Sequence, residues 1–257
     1  MDLESAKKLY RTGLSIRKIS SRLRVPRETL RIELAKSGLI FRKSRKDKAI
    51  SYHNPQFKIS TSSAELIAMH AGDGGLDVNG NWTFTSFYKD LNLICRVRFL
   101  IRNVVGVEPG TYRRENRIIV ASGQRQTQEY FSRYFPMGKK SNIVKIPRGL
   151  YCTRNQTILK SVLIGLYSTD GSFSLRKTGR ARVEFRVRSK ELRNQFLKIS
   201  QRLGFRLNES DPISNGRPIY TTYTEDQKQI KRWMKTIGSR CDTHNERYEK
   251  WLQAGVP

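Results

Sequence analysis

An internal repeat constrains this chain more than any other feature. Residues 64–74 read Ala-Glu-Leu-Ile-Ala-Met-His-Ala-Gly-Asp-Gly, and residues 161–171 read Ser-Val-Leu-Ile-Gly-Leu-Tyr-Ser-Thr-Asp-Gly, at a constant offset of 97. Self-similarity at a fixed spacing marks a duplicated supersecondary unit. A chain of 257 residues has room for two such units and a smaller third piece.

Both copies have the pattern of a buried helix. Ser62-x-x-Glu65 is a capping box for the first. Ile158, Leu159, Val162, Leu163 and Leu166 make the apolar stripe of the second. Small residues recur four apart on one ridge, at Ala64, Ala68 and Gly72 in one copy and at Ser161, Gly165 and Thr169 in the other. Such ridges let two helices approach closely, so the copies are expected to pack on each other. Each ends in Asp-Gly, and the glycine reads as a C-terminal stop. The aspartate runs against the helix dipole by ~0.3–1 kcal/mol. The same unfavourable choice at matched positions points to a use. Packing the helices would bring Asp73 and Asp170 together, and a divalent cation would relieve their repulsion.

Charge limits the partner. Fifty Lys+Arg against 22 Asp+Glu give +28, a field suited to a polyanion rather than to a small-molecule substrate. No stretch is apolar for long enough to span a membrane. The start, MDLESAKKLY, has no apolar signal region, so the protein is expected to be intracellular and not secreted. Cys95, Cys152 and Cys241 are scattered, as are His53, His70 and His244. Any metal is therefore expected on carboxylates, as a hard cation such as Mg²⁺.

Residues 1–41 read as three short helices. Leu3, Ala6 and Leu9 share one face, and Gly13 closes the first. Ser15 caps a second carrying Ile16, Ile19 and Leu23. Val25 turns, and Pro26 opens a third with Leu30 and Leu34 inward and Arg27, Glu28 and Arg31 outward. This is the order of a helix-turn-helix DNA-binding module. Residues 42–60 read as a basic linker opening with Arg42, Lys43, Arg45 and Lys46. Residues 1–60 hold 16 Lys+Arg and 5 Asp+Glu, a net +11.

After each repeat the pattern continues alike. Asn79-Gly80 is a hairpin signal, with Trp82 and Phe84 alternating with Thr83 and Thr85. Val183, Phe185 and Val187 alternate with Arg182, Glu184, Arg186 and Arg188, and Phe173 and Leu175 with Ser172, Ser174 and Arg176. Helices are expected over 89–105, 124–135, 190–203 and 225–237, and further strands over 107–113, 117–121, 206–209 and 219–223. Each half is then αββαββα.

Leu66–Gly74 and Leu163–Gly171 resemble the two signature motifs of a single-chain LAGLIDADG homing endonuclease. Met69, His70, Ala71, Tyr167 and Ser168 depart from the signature, whereas the small third position and the terminal Asp-Gly are kept. Flanking matches extend the resemblance over residues 61–257. They include Lys89-Asp90-Leu91, Val105-Gly106, Gly138-Lys139-Lys140, Ile146-Pro147, Lys190-Glu191-Leu192 and Leu203-Gly204.

The resemblance implies an α+β fold. Two pseudo-symmetric αββαββα halves, residues 61–150 and 151–257, would form a DNA-binding saddle behind the helical domain and linker. It implies site-specific, metal-dependent hydrolysis of double-stranded DNA at a long site, leaving short 3′ overhangs, by a monomer acting in intron or intein homing. Asp73 and Asp170 would be catalytic and hold Mg²⁺, or Mn²⁺ or Ca²⁺ in a trapped complex, with the carbonyls of Gly72 and Thr169 as further ligands. Lys140, or its neighbour Lys139, matches the family's basic residue near the cut. The second half has Gly238-Ser239-Arg240 in that place. DNA contacts are expected from Arg27, Arg31, Arg42, Lys43, Arg45, Lys46, Arg176, Arg182, Arg186 and Arg188. A non-cleaving DNA-binding regulator and an intron RNA maturase on the same scaffold are the alternatives.

Overall fold

A computed structural model describes residues 3–11, 16–37, 58–138, 140–176, 179–214 and 216–255. The chain divides into two units, Met1–Ser51 and Tyr52–Pro257. Arg42, Lys43, Arg45, Lys46 and Lys139 lie outside the described residues, as do Gly13, Ser15 and most of the expected linker.

The first unit contains the three expected helices, α1 (Leu3–Arg11), α2 (Ile16–Leu23) and α3 (Arg27–Lys36). Ala6, Tyr10, Ile19, Leu30 and Leu34 form its small core. Pro26 stands one place earlier than expected, outside α3, where its carbonyl accepts from Leu30 N at 3.0 Å. Arg24 makes the turn before it with φ 52°, a left-handed conformation unusual for a side-chain-bearing residue. Arg27 and Arg31 are exposed, and Arg31 has Glu28 as an ion-pair partner.

The second unit is the duplicated one. Its first half runs α4 (Thr61–Gly72), β1 (Gly74–Leu76), β2 (Trp82–Phe87), α5 (Leu91–Leu100), a π-helical turn over Ile101–Val105, β3 (Gly110–Arg114), β4 (Arg117–Ser122) and α6 (Arg125–Ser132). A single turn, α7 (Arg148–Tyr151), leads to the second half. That half runs α8 (Gln156–Asp170), β5 (Gly171–Leu175), β6 (Ala181–Val187), α9 (Lys190–Arg202), β7 (Asn208–Ser210), the small pair β8 (Ile213–Ser214) and β9 (Arg217–Pro218), β10 (Tyr220–Thr224), α10 (Gln227–Thr236) and α11 (Asp242–Gln253).

The two sheets have one topology. Their strand orders are β1-β2-β4-β3 and β5-β6-β10-β7, antiparallel throughout. In each, the first strand follows directly on the repeat helix, so the sheet's edge is set by where that helix ends. Trp82, Phe84, Phe173, Val183 and Phe185 point into one continuous core with both repeat helices. This is the α+β fold that the duplicated pattern and the resemblance imply.

Several local expectations are corrected. The capping box of α4 is Ser60 with Ser63, not Ser62 with Glu65; Ser63 N donates to Ser60 Oγ at 3.1 Å, and Ser60 N to Ser63 Oγ at 2.8 Å. The helix expected over 89–105 changes to a π-helical turn at Ile101, and Gly106 closes it with φ 76°. The strands expected from Val107 and Arg206 begin later, at Gly110 and Asn208. Neither Gly74 nor Gly171 is a left-handed helix stop. They are glycines because space is lacking: a Cβ on Gly74 would lie 2.4 Å from His70 Nδ1, and one on Gly171 2.2 Å from the Tyr167 carbonyl oxygen. The C-terminal helix α11 has no counterpart among the expected elements. Among the described residues no helix is long and apolar enough to cross a membrane.

Candidate active site

The two repeat helices α4 and α8 meet along their small-residue ridges, as the spacing predicts. A Cβ on Gly165 would fall 2.6 Å from the Glu65 carbonyl oxygen and 2.7 Å from Ala68 Cβ. At the C-terminal end, a Cβ on Gly72 would fall 2.1 Å from Thr169 Oγ1 and 2.8 Å from Asp170 Oδ2. Any side chain at either glycine would force the helices apart. Thr169 turns its hydroxyl back onto its own helix, donating to the carbonyls of Gly165 (3.2 Å) and Leu166 (3.0 Å). Gly72 can therefore sit against it.

This approach brings Asp73, the C-cap of α4, and Asp170, the last residue of α8, to one place. Crowding by protein, followed by the charge of Asp170, pushes the Asp73 carboxyl up to about 7. Loss of hydration pushes Asp170 up to about 6. Asp73 still opens to solvent, so water screens part of the repulsion between them. Burial therefore leads both shifts, and the repulsion inferred from sequence adds to that of Asp73.

Lys140 reaches the same point and is 8% exposed. Its Nζ donates to the carbonyl oxygens of Ala71 at 2.7 Å and Gly72 at 3.1 Å. Burial lowers its pKa to about 8, against the opposing pull of Asp170 and Asp73. The connection between the halves holds it there. Ile143 N and Val144 N donate to the Lys140 carbonyl, and Ser189 Oγ donates to the Val144 carbonyl at 2.6 Å. Gln195 pairs with both backbone groups of Ile146. A cavity of about 550 Å³ opens beside Lys140, lined also by Gly74, Gly75, Gly138, Asp170, Arg186 and Arg188.

On the other side the arrangement differs. Arg240 stands where the second half should present its counterpart of Lys140, but its side chain turns to Glu65 on α4, at 2.9 Å. Only its backbone N–H meets α8, donating to Ser168 Oγ at 2.8 Å. The cavity there, about 340 Å³, is lined by Asp73, Asp90, Arg117, Thr169 and Arg247, among others, and no lysine lines it. Arg117 and Arg247 supply its positive charge, and Arg117 draws Asp73 toward ionisation. Sequence reading missed Arg117 because nothing marks the first residue of a strand as facing a carboxylate on another element.

The expected strand contacts are partly engaged within the protein. Glu184 pairs with Arg182 at 2.7 Å and Arg186 at 2.6 Å, and Glu225 pairs with Arg176 and Arg182. Arg182 also lies over the Tyr223 ring at 3.8 Å. The face read as largely basic is thus a latticed one. Arg176, Arg186 and Arg188 are the exposed arginines among them, and Arg186 and Arg188 line the Lys140 cavity.

Residues 158–238 match the LAGLIDADG-like domain family. Curated proteins give no match. Among solved structures the chain is similar to I-DmoI in complex with DNA and Mn, with a TM-score of 0.51 and 21% identity over 70% of this chain and 98% of that one. I-DmoI in complex with DNA and Ca gives 0.51 and 17% over 70% and 90%. A mesophilic variant of the homing endonuclease I-DmoI gives 0.50 and 20% over 70% and 96%. At these identities the likeness is one of fold: the chain has the LAGLIDADG homing endonuclease fold.

Proposed function

We propose that this protein is a site-specific, divalent-metal-dependent endonuclease for double-stranded DNA, with its reacting centre at Asp73 and Asp170. One observation carries the reading. Two carboxylates are held side by side at the ends of two glycine-packed helices, at a standing electrostatic cost, between two sheets of identical topology. A purely structural helix pair gains nothing from those carboxylates.

The donors suit a hard cation. Asp73, Asp170 and the carbonyls of Gly72 and Thr169 offer only oxygen. Among the described residues no third His, Cys, Asp or Glu joins them. Phosphate oxygens of the DNA would complete the shell. When bound, Mg²⁺ or a similar ion supplies charge stabilisation at the phosphate and lowers the pKa of a coordinated water.

The chain's own residues do the rest. Lys140 places a positive charge near the acid pair, where negative charge develops at the cut phosphate. Arg186 and Arg188, at the rim of that cavity, clamp backbone phosphates, and Arg176 and Arg182 hold the strand faces in register. The three-helix N-terminal unit acts as a helix-turn-helix domain, with Arg27 and Arg31 on its presented helix and Arg42, Lys43, Arg45 and Lys46 following. Lys139 serves as a phosphate clamp. Short 3′ overhangs and action as a monomer complete the reading.

The test selects cleaved molecules from a randomised duplex library in Mg²⁺ and sequences their ends. Asp73→Asn and Asp170→Asn should each slow cleavage on the order of 10²-fold or more, while DNA affinity stays within about tenfold. A wild-type protein that retains duplexes from the library but cuts none of them would leave a DNA-binding regulator instead.

A further inference from the structure

We propose that the Lys140 ammonium is a resident cation at the C-terminal end of α4, occupying the place that a divalent metal ion takes when DNA arrives. The inference rests on the reading of Asp73 and Asp170 as metal-binding. It adds that the site is never without positive charge and that the lysine must yield for the metal to bind.

The surroundings of Nζ carry the case. The ammonium bonds to two backbone carbonyls, of Ala71 and Gly72. Both are helix-terminal oxygens with no partner further along α4, at the negative end of its dipole. Asp73 is the next residue, and Asp170 Oδ2 lies against Gly72 from the other helix. Nζ thus bonds to two carbonyl oxygens, and both carboxylates are near enough to act on its charge, the all-oxygen surroundings that suit a hard dication. Removing the charge would leave Asp170 and the helix terminus without a compensating cation, and Asp73 with Arg117 alone.

Gly72 O is bound by Lys140 and is also one of the two carbonyls proposed above as metal ligands. One acceptor cannot serve a buried ammonium and a dication in the same direction, because the cations repel. The lysine has somewhere to go. The adjoining cavity of about 550 Å³ is walled in part by Gly74, Gly75 and Gly138, which carry no side chains, and leaves room for a swing. A lysine that merely capped α4 would sit there for stability alone, so the two roles differ in what a metal does to the protein without the lysine.

Mn²⁺ binding to the full chain, followed by electron paramagnetic resonance without DNA, separates them. Lys140→Met should bind Mn²⁺ at least tenfold more tightly than the wild type, and Mn²⁺ should restore the melting temperature that the variant loses. Adding Asp170→Asn should remove both effects. If Lys140→Met folds and binds Mn²⁺ no better than the wild type, the proposal is overturned. A second measurement needs no variant: acetylation of Lys140 in the wild-type protein with DNA bound, read by mass spectrometry, should rise severalfold when Ca²⁺ is added. Unchanged labelling while Ca²⁺ binds also overturns it. If Mn²⁺ fails to bind the wild-type protein even with its selected DNA, the metal reading of the two aspartates fails instead.

Discussion

Arg240 Nε donates to Glu65 Oε1 at 2.9 Å, across 175 residues of chain. Glu65 is buried, and Arg96 meets the same carboxylate at 3.0 Å from Nε and 2.5 Å from Nη2. One acid on α4 therefore ties a helix of its own half to the segment before α11 of the other half. It also explains why the second half presents no counterpart of Lys140 to the acid pair.

The first prediction follows from that sharing. Either arginine alone compensates the carboxylate, so Arg96→Met and Arg240→Met should each cost no more than about 1 kcal/mol, both guanidiniums being partly exposed. The double variant leaves a buried carboxylate alone and should lose about 3–5 kcal/mol. Urea denaturation of the four proteins gives the coupling. Additive losses would mean that Glu65 is not held by both.

Helix contact provides the second. Gly165→Ala should destabilise the protein by about 1–3 kcal/mol, because its Cβ would press on the Glu65 backbone oxygen, which has no rotamer to escape to. Ala68→Gly in the same chain removes one of the two clashing atoms but not that oxygen, so it should fail to restore the wild-type melting temperature. Full restoration would place the contact on the Ala68 side chain alone.

How far these contacts were legible in the sequence depends on what fixes each of them. The meeting of α4 with α8 was readable because it rests on residue size at a helical spacing, and Ala64, Ala68, Gly165 and Thr169 state that size directly. The convergence of Asp73 and Asp170 follows from it. The glycines after them were misread because a C-terminal Gly has two uses, a left-handed stop or a lack of space, and only the positions of the His70 ring and the Tyr167 carbonyl decide. Helix α11 escaped because it carries few apolar residues. It docks by burying Trp251 and packing Tyr248 on Phe173, and by polar contacts that no periodicity reports: Asn92 with Asp242, Asp90 with the Thr243 hydroxyl at 2.9 Å, and Arg247 with the Phe173 carbonyl at 3.1 Å. The pairing of Arg240 with Glu65 is of the same kind, a partner choice made across the whole chain.

The acid pair gives the protein a pH dependence of definite sign. Asp73 is raised from 3.8 to about 7 and Asp170 from 3.8 to about 6, so the folded state holds protons that the unfolded state has released between about 4 and 7. Stability from these groups is therefore present at the acid side of that window and is lost as pH rises through it. In the metal-free protein, Asp73→Asn should raise the melting temperature at pH 8 and leave it nearly unchanged at pH 4. Mg²⁺ with bound DNA should flatten the wild-type profile. A melting temperature of Asp73→Asn below the wild type at pH 8 would show that the aspartate stabilises the fold when charged.

The last prediction concerns the N-terminal unit and separates binding from chemistry. Residues 1–60 carry a net +11, and Arg27 and Arg31 are exposed on α3. The unit has its own small core, with Ala6, Ile19, Leu30 and Leu34 fully buried, so removing it leaves the core around α4 and α8 whole. If it lies on DNA, each phosphate that it neutralises contributes about 0.9 to the slope of log K against log salt. A chain beginning at Lys58 should bind a selected duplex more weakly, with a slope smaller by several units. Its single-turnover cleavage rate at saturating protein should stay near that of the full chain, since Asp73, Asp170 and Lys140 are all retained. The same slope in both proteins would mean that the three helices do not touch the phosphates, and a rate that falls with the slope unchanged would assign them to the reacting centre instead.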